Sequence, residues 1–471
     1  MCATTEHHSV SSRLYAAIRQ AIEAAQGWLP FDRYMSLALY APDLGYYMRH
    51  DRQIGAWPAG SDFVTAPELT PLFAQALAPS LRQALVASGT HTVIEFGACS
   101  GALAEGLLEA LGGAVASYRI VELSGPLRAR QMQRLARFGA RVSWLEQWPV
   151  ASTLEAVVLG NEVLDAMPVQ LLVFDGDQWR ERGVALDADG SLAWRDRPTG
   201  LRPPHDGPFL PGMVTEIHAQ AEAFVASLAH TLARGAAFFI DYGFPAAEYY
   251  HPQRHGGTLM CHRAHRADSD PLVDAGEKDI TAHVNFTGIA LAGQDAGLDV
   301  LGYTSQARFL LNNGIADAMA RAGVRERAAA QKLVAEHEMG ELFKVIGFAK
   351  GCNFDAIGFT AGDRTQQHAA GERQVELAAR DAHVEVARQA PEPDALEPAA
   401  QAAEQQERQQ EDDQPAHARS MPCRCRATRH RLRAQQEMPR WRRGGITGGA
   451  NGRRPQSRWH RSCSVWRSRS P

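Results

Sequence analysis

Short apolar runs alternate with helical patterns between residues 92 and 349, and this alternation constrains the fold of the chain most strongly. The runs are TVIEF, YRIVE, EAVVLG, QLLVF, AAFFID, LDVLGY and FKVIGFA. Apolar strands that are separated by helices are typical of a largely parallel sheet whose two faces are covered by helices. The sequence therefore predicts an α/β protein with one such sheet at its centre.

The segments around this pattern divide the chain into three predicted parts. Residues 1–88 begin with an amphipathic helical pattern and form a helical N-terminal cap, and residues 89–368 carry the sheet pattern. Insertions near 180–212 and 243–290 interrupt the alternation, and long insertions in α/β domains commonly act as functional, substrate-binding loops. Residues 369–471 are rich in Ala, Gln and Glu and then in Arg, which predicts a disordered tail.

Charge, hydropathy and cysteine content exclude several classes of protein. The net charge of −4 includes fourteen arginines within residues 420–471, so the body of the chain is acidic and is not expected to bind nucleic acid. No apolar run approaches the roughly 20 residues of a membrane helix, and residues 1–20 have no continuous apolar stretch, so we do not expect them to be a secretory signal. The seven cysteines are scattered, so we expect a cytoplasmic protein with free thiols.

The turn after the first apolar strand carries the residues of a cofactor loop. Glu95 lies in the strand, Gly97, Ala98 and Gly101 belong to the turn into the next helix, and Glu122 ends the second strand. Glycines let the backbone approach a ligand closely, and an acid at the end of the second strand can bind ribose hydroxyls. The order E-x-G-x-C-x-G is closer to an S-adenosylmethionine loop than to the G-x-G-x-x-G of NAD sites.

The same turn also fits a second chemistry. Gly97, Cys99 and Gly101 form the pattern G-x-C-x-G, which is a nucleophile elbow of the α/β-hydrolases with cysteine in place of serine. Asp241 follows in the chain order of that fold as the acid of a triad. An ordinary strand-to-helix turn is a third interpretation. The candidate bases of the triad are His262, His265 and His283.

Nine motifs follow one another over residues 12–368. They are YMSLALYAPDLGYY, SDFVTAPELTPLF, VIEFGACSGALA, GNEVLDAMPV, FFIDYG, GTLMCHRAH, DITAHVNF, TSQARFLL and MGELFKVIGFAKG. In this order they resemble the MidA-like family of class I methyltransferases. The resemblance implies a Rossmann-like fold with a mostly parallel seven-stranded sheet, S-adenosyl-L-methionine as cofactor, and methyl transfer to an arginine side chain of a protein. A mitochondrial member is a respiratory complex I assembly factor, so a respiratory-complex subunit is one candidate substrate.

The motif GNEVLDAMPV places two carboxylates just past a predicted strand. A guanidinium has a pKa above about 12, so it is protonated at neutral pH and is a poor nucleophile. Methylation of an arginine is therefore expected to need carboxylates around the guanidinium. Glu162 and Asp165 are therefore the candidate catalytic residues that grip the acceptor. In the alternative interpretation, Asp165 caps the following turn and Glu162 only anchors the cofactor.

Further positions are assigned to the cofactor. Asn161 is expected to face its methionine end, and the resemblance implies that Thr65 and Pro67 close over it. Two positions depart from the family, since Cys99 stands where glycine is usual and Asn285 stands where aspartate is usual. The first departure adds a side chain beside the cofactor.

Three remaining expectations concern metals, partners and a competing function. The segment CHRAH and the pair Cys423 and Cys425 contain metal-binding residue types, but neither offers four ligands, and we expect no metal. We expect a protein substrate and no membrane partner, and a homodimer stays open. A non-catalytic assembly factor or chaperone that keeps the methyltransferase fold is the competing function from another class.

Overall fold

The computed structural model describes residues 3–49, 65–145, 149, 151–263 and 266–365. The predicted tail lies outside these residues, and the domain boundaries drawn above stay predictions. Within the described ranges, no helix is both long and apolar enough to cross a lipid bilayer.

Helices make up much of the described chain, and their ends follow local sequence signals. In α6 the Ser124 side chain accepts a hydrogen bond from the Leu127 amide, and α4 ends at Gly89 in the left-handed conformation. The α-helices are α1 (Ala3–Ala24), α2 (Phe31–Tyr40), α3 (Ala66–Leu69), α4 (Leu72–Ser88), α5 (Ala102–Leu111), α6 (Gly125–Leu135), α7 (Ala219–Thr231), α8 (Ala246–Tyr249), α9 (Phe286–Asp295), α10 (Gln306–Asn312), α11 (Ile315–Arg321) and α12 (Val324–Val334). Shorter helical turns are Tyr46–Met48, Gly112–Ala114, Ala136–Arg141, Glu336–Gly340 and Ile357–Phe359.

The strands form three sheets. They are β1 (Leu29–Pro30), β2 (Thr92–Phe96), β3 (Ser117–Val121), β4 (Val142–Trp144), β5 (Leu154–Asn161), β6 (Gln170–Phe174), β7 (Trp179–Leu186), β8 (Leu192–Pro198), β9 (Val214–Ile217), β10 (Leu232–Phe244), β11 (Met260–Arg263), β12 (Arg266–Asp268), β13 (Asp279–Thr281), β14 (Val284–Asn285), β15 (Asp299–Ser305) and β16 (Phe343–Lys350).

The central sheet has the strand order β15-β16-β10-β5-β2-β3-β4, and β14 adds to the end of β10. β2, β3, β4, β5 and β10 pair in parallel, whereas β16 is antiparallel to both of its neighbours. This arrangement confirms the predicted α/β fold with a mostly parallel, seven-stranded sheet. The chain leaves β2 in one direction toward β3 and β4 and later continues on the other side with β5 and β10. The crevice at this reversal is where such sheets bind ligands.

One apolar run lies in a different sheet from the one predicted. QLLVF forms β6 of an antiparallel sheet in the order β1-β7-β6-β9, with β8 paired to β7. The seventh strand of the central sheet is instead the short β4, whose three residues are too few to stand out as an apolar run. The predicted insertion near 180–212 therefore contains most of a β-hairpin made of β7 and β8.

Three of the four hydrophobic clusters among the described residues join these layers, and the fourth lies within the antiparallel sheet of β6 and β7. Alternate residues of β5 face opposite sides of the central sheet, so that Val157 packs against α4 and α5, and Val158 packs against α7 and α9. The third cluster joins the N-terminal helices to the inserted sheets, and it includes Phe31, Val184 and Cys261. The N-terminal cap and the insertions thus share one core beside the central sheet.

The last described residues pack onto β15 and β16. Phe359 is 5% exposed and covers Gly302 and Gly347, where a side chain would collide with its ring. Arg364 donates two hydrogen bonds to the Glu341 carboxylate, at 2.7 and 3.0 Å. The segment up to residue 365 is therefore part of the folded body.

Two truncations test this boundary. A chain that ends after residue 368 keeps these contacts, and its melting temperature should stay within a few degrees of that of the full chain. A chain that ends after residue 352 loses the Phe359 ring, whose removal costs about 3–5 kcal/mol by analogy with Phe→Ala substitutions in cores. Differential scanning calorimetry should show a fall of roughly 5–10 °C for the shorter chain alone. Equal melting temperatures for the two truncations would contradict the boundary.

Candidate active site

The predicted site residues converge at the carboxyl ends of the central strands. Glu95 lies in β2, Glu122 directly follows β3, Asn161 ends β5, and Asp241 lies near the end of β10. These strands are neighbours around the reversal of strand order. The fold therefore brings the residues into one crevice, as expected for ligand sites in parallel sheets.

The turn between β2 and α5 is built from left-handed residues. Gly97 has φ 61°, Cys99 has φ 49° and Gly101 has φ 82°. A Cβ atom at Gly97 would also lie 3.3 Å from the Val163 side chain of the neighbouring turn. Gly97 and Gly101 adopt the left-handed conformation without strain because glycine has no Cβ atom. Cys99 adopts it with a side chain, which is strained.

Glu95 is buried inside the sheet, and Tyr118 donates a hydrogen bond of 2.6 Å to its Oε2. Burial raises the pKa of Glu95 to about 7. Tyr118 on the neighbouring strand β3 therefore fixes the Glu95 carboxyl group, which lies two residues before the glycine turn. A direct contact between Glu95 and a cofactor stays a prediction.

Gln131, which the sequence analysis missed, connects the glycine turn to Glu122. Its Nε2 donates to the Cys99 carbonyl and to Glu122 Oε2, both at 2.9 Å, and its Oε1 accepts from Trp144 Nε1 at 2.8 Å. The Ser124 amide donates to the other oxygen of Glu122 at 2.8 Å. The two segments predicted to bind the cofactor are therefore held together by one buried amide side chain.

The segment with Thr65 and Pro67 lies between the glycine turn and Glu162. Thr65 is buried and precedes α3, in which Pro67 occupies the first turn. Ser100 of the glycine turn donates a hydrogen bond to Glu68 of α3. The Ala66 amide bonds to Glu162 and lowers the pKa of its carboxyl group. This position agrees with a segment that borders the cofactor site.

Asn161 and Glu162 form the turn that follows β5. Glu162 has φ 54°, and the Asn161 Nδ2 donates to its Oε1 at 2.9 Å. Asn161 Oδ1 is buried and has no hydrogen-bond partner among the described residues. A buried acceptor of this kind is rare in folded proteins and indicates a place for a ligand donor.

Asp241 caps the turn in which Asp165 lies. Its Oδ2 accepts from the amides of Val163, Leu164 and Asp165 at 3.1, 2.9 and 3.3 Å. Asp241 therefore caps this turn, while the backbone amides of Asp165 and Ala166 also bond to the Asp165 carboxyl group and lower its pKa, so the capping interpretation of Asp165 stays open. The Asp165 carboxylate also accepts a hydrogen bond from Tyr242 on Oδ2, and its buried Oδ1 has no partner among the described residues.

The carboxyl groups around this turn lie in a strongly acidic environment. Burial and the nearby carboxylates of Asp165 and Asp279 raise the pKa of Glu162 to about 8. Burial also raises the pKa values of Asp165 and Asp241. No described cationic side chain forms a salt bridge with Glu162, Asp165 or Asp241. The charged forms of these acids are therefore costly unless a cation enters.

Among the described residues, the contacts of Cys99 and its candidate partners do not form a hydrolase triad. Burial and the carboxylates of Glu68 and Glu122 raise the pKa of the Cys99 thiol to about 12, so that it is protonated at neutral pH. Asp241 is engaged by backbone amides rather than by an imidazole, and His283 lies against the rings of Tyr242 and Phe244. Candidate base His262 lies on β11, and His265 lies outside the described residues.

Asn285, the second departure from the family, is the N-cap of α9. Its side chain accepts from the Gly288 amide at 3.4 Å, and its Nδ2 donates to Tyr250 at the same distance. Its role in the structure is therefore to begin a helix. In the described part of the chain, no group of three His, Cys, Asp or Glu side chains is placed to hold a metal ion, and Cys423 and Cys425 lie outside that part.

The sheet order, the left-handed glycine turn and the acid after the second strand together define a class I methyltransferase. A family model described as "putative S-adenosyl-L-methionine-dependent methyltransferase" matches residues 72–304. A crystal structure of a "likely methyl transferase" from Burkholderia thailandensis, bound to S-adenosyl-homocysteine, matches with a TM-score of 0.71 and 50% sequence identity. The match covers 76% of this chain and 97% of the Burkholderia chain.

Curated relatives extend the comparison. The mitochondrial protein arginine methyltransferase NDUFAF7 of Xenopus tropicalis is 27% identical over 66% of this chain and 78% of its own. Its Caenorhabditis elegans homolog is 25% identical, over 60% of this chain and 72% of the homolog. The chain belongs to the MidA-like family, and it is an S-adenosylmethionine-dependent methyltransferase. This membership sets aside the hydrolase and the non-catalytic alternatives.

The residues of the crevice fit this cofactor. Glu122 lies after β3, where a carboxylate can accept from ribose hydroxyls. Asn161 Oδ1 lies at the end of β5, on the other side of β2, and it needs a donor group because it has no partner among the described residues. When bound, S-adenosylmethionine supplies a methyl group activated by its sulfonium. The assignment of individual residues to the cofactor stays a prediction.

Cys99→Gly tests the first departure from the family. Removal of the left-handed strain gains about 1–2 kcal/mol, and the flexibility of glycine in the unfolded chain costs about 0.4–1 kcal/mol. The melting temperature should therefore be unchanged or slightly higher, and calorimetric titration should show equal or tighter binding of S-adenosyl-homocysteine. Cys99→Ala, which keeps the strain, is the control. Weaker binding by the glycine variant would show that the thiol itself supports the cofactor.

Glu122→Gln tests the acid after β3. The amide keeps the shape but loses the charge, so the affinity for S-adenosyl-homocysteine should fall by about 1–3 kcal/mol in isothermal titration. Burial raises the pKa of Glu122 to about 7, so the wild-type affinity should also fall as protonation sets in below that pH. The variant should lack this pH dependence, and the exposed Glu109→Gln should behave like wild type. An unchanged affinity would remove Glu122 from the site.

Proposed function

We propose that the methyl acceptor is an arginine side chain of a protein and that Glu162 and Asp165 bind its guanidinium. The observation that carries this proposal is the buried Oδ1 of Asp165, which has no hydrogen-bond partner among the described residues and belongs to a residue that is 5% exposed. A guanidinium offers N–H donors in a planar array together with a permanent positive charge. It would satisfy Asp165 Oδ1 and neutralise the buried carboxylates at the same time.

The named activity of the relatives supports the same acceptor. The NDUFAF7 proteins of Xenopus tropicalis and Caenorhabditis elegans are protein arginine methyltransferases. The described part of this chain offers no cationic partner for Glu162 or Asp165, which leaves room for the charge of the substrate. A subunit of a respiratory complex is one candidate protein that the family resemblance suggests.

The reaction is an in-line displacement in which the protein positions groups and balances charge. A guanidinium nitrogen forms a bond to the methyl carbon, the bond from carbon to sulfur breaks, and its electron pair stays on sulfur. One N–H proton of the acceptor passes to the carboxylate of Glu162, whose pKa burial raises to about 8. The products are methylarginine and S-adenosyl-homocysteine.

The cellular location is part of the same proposal. Cys99, Cys261 and Cys352 are free thiols, which supports a reducing compartment such as the cytoplasm. Fractionation of cells that produce the tagged protein tests this location directly. Recovery of the protein from an oxidising compartment would contradict it.

Asp165→Asn tests the role of the acidic pair. The variant keeps the shape of the side chain and removes its charge, so methyl transfer should fall roughly a hundredfold or more, the scale for loss of one transition-state contact. Cofactor affinity should stay the same, and the melting temperature should not fall. The assay measures tritium transfer from labelled S-adenosylmethionine to lysate proteins, followed by amino-acid analysis of the labelled residue.

Asp196→Asn is the matched control, because Asp196 pairs with Arg182 in the antiparallel sheet away from the crevice. It should transfer methyl groups at the wild-type rate. Label on a residue other than arginine would refute the acceptor, and a wild-type rate for Asp165→Asn would refute the role of the carboxylate.

A further inference from the structure

We propose that Tyr242 is a positioning residue that holds the Asp165 carboxylate in the orientation needed to bind the methyl acceptor. The inference rests on the proposed function, in which Asp165 binds a guanidinium. Tyr242 directly follows Asp241 in β10, and the fold brings it to Asp165. Its hydroxyl donates to Asp165 Oδ2, and this leaves Oδ1 as the open oxygen.

The backbone of Asp165 is fixed on both sides. Its amide donates to Asp241 Oδ2 at 3.3 Å, and its carbonyl accepts from the Ala282 amide at 3.0 Å. These two bonds set the position of the Cα atom, and the backbone amides of Asp165 and Ala166 also bond to the carboxyl group and lower its pKa. The hydrogen bond from Tyr242 is the side-chain contact that holds Oδ2, so that the two carboxylate oxygens are not equivalent.

The Tyr242 ring is itself held from two directions. It meets the His283 ring edge-on at 5.2 Å between centroids and the Phe343 ring edge-on at 5.3 Å. Phe343 is its direct cross-strand partner on β16, whereas His283 comes from the segment before β14. A donor clamped by packing on both sides loses little entropy when it forms its hydrogen bond, which is the requirement for a preorganised site.

The electrostatics support a donor role for the hydroxyl. Burial and the carboxylates of Asp165 and Asp241 raise the pKa of Tyr242 well above its usual range, so that the phenol keeps its proton. Its hydrogen bond in turn lowers the pKa of Asp165 against the opposing effect of burial. Tyr242 therefore favours the ionised form of Asp165, which is the form that a cationic acceptor requires.

The test is a double-mutant cycle between Tyr242→Phe and Asp165→Asn. Tyr242→Phe should lower the rate of methyl transfer on the order of tenfold at saturating S-adenosylmethionine, with an unchanged KM for S-adenosylmethionine. Because Tyr242 acts through Asp165, the double variant should be no slower than Asp165→Asn alone, whereas independent residues would multiply their effects. Rates are measured as tritium transfer to lysate proteins and expressed per S-adenosyl-homocysteine binding site, so that loss of folded protein does not count.

Tyr249→Phe is the matched control. Tyr249 also donates to a buried carboxylate, Glu216 Oε2 at 2.7 Å, but it lies in a network of the inserted segment apart from Asp165. Its rate per binding site should equal that of the wild type.

Each result of the cycle has one meaning. A wild-type rate for Tyr242→Phe, or a multiplicative loss in the double variant, would overturn the role of Tyr242 while Asp165→Asn remains slow. A wild-type rate for Asp165→Asn would instead overturn the proposed function itself.

Discussion

The active site depends on one buried carboxylate that faces backbone amides. Asp241 accepts from three consecutive amides of the turn after β5, and in this way it joins two neighbouring strands at their carboxyl ends. Each amide that is buried without a partner would cost about 1–3 kcal/mol, so this single group stabilises an otherwise unfavourable turn. Glu162 keeps its left-handed backbone and Asp165 keeps its orientation because that turn is held.

Gln131 plays the corresponding part on the cofactor side of the crevice. Its amide nitrogen donates to the Cys99 carbonyl of the glycine turn and to Glu122 after β3. Its amide oxygen accepts a hydrogen bond from Trp144. The glycine turn and the acid expected at the ribose of the cofactor are thus one rigid unit. Both halves of the site follow the same design, in which a fully bonded polar side chain fixes groups that remain open to ligands.

The sequence predicted those features that depend on local pattern. Apolar alternation located most strands of the central sheet, and the position of Glu122, Glu162 and Asp165 just past strands located the crevice. The sequence pattern did not separate β6 from the strands of the central sheet, because the pairing partners of a strand are set by distant segments of the chain. Gln131 gave no signal either, since a polar residue in a polar helix looks like a solvated one until the fold buries it. The contact of Tyr242 with Asp165 depends in the same way on β10 and the turn after β5, which the sheet brings together.

The buried carboxyl groups of the crevice, which have no cationic partner among the described residues, also make the free enzyme less stable than its fold would otherwise allow. The pKa of Glu162 rises from 4.5 to about 8, so between these values the folded state retains a proton that the unfolded chain has released. The free energy of unfolding therefore declines as pH rises through this window. A cationic side chain that enters the crevice has the opposite effect on stability. It lowers the pKa of Glu162, so that the carboxyl group releases its proton, and it replaces repulsion among the carboxylates with attraction to the cation. Under the proposed function, the guanidinium of the substrate supplies the counter-ion that these carboxylates lack among the described residues.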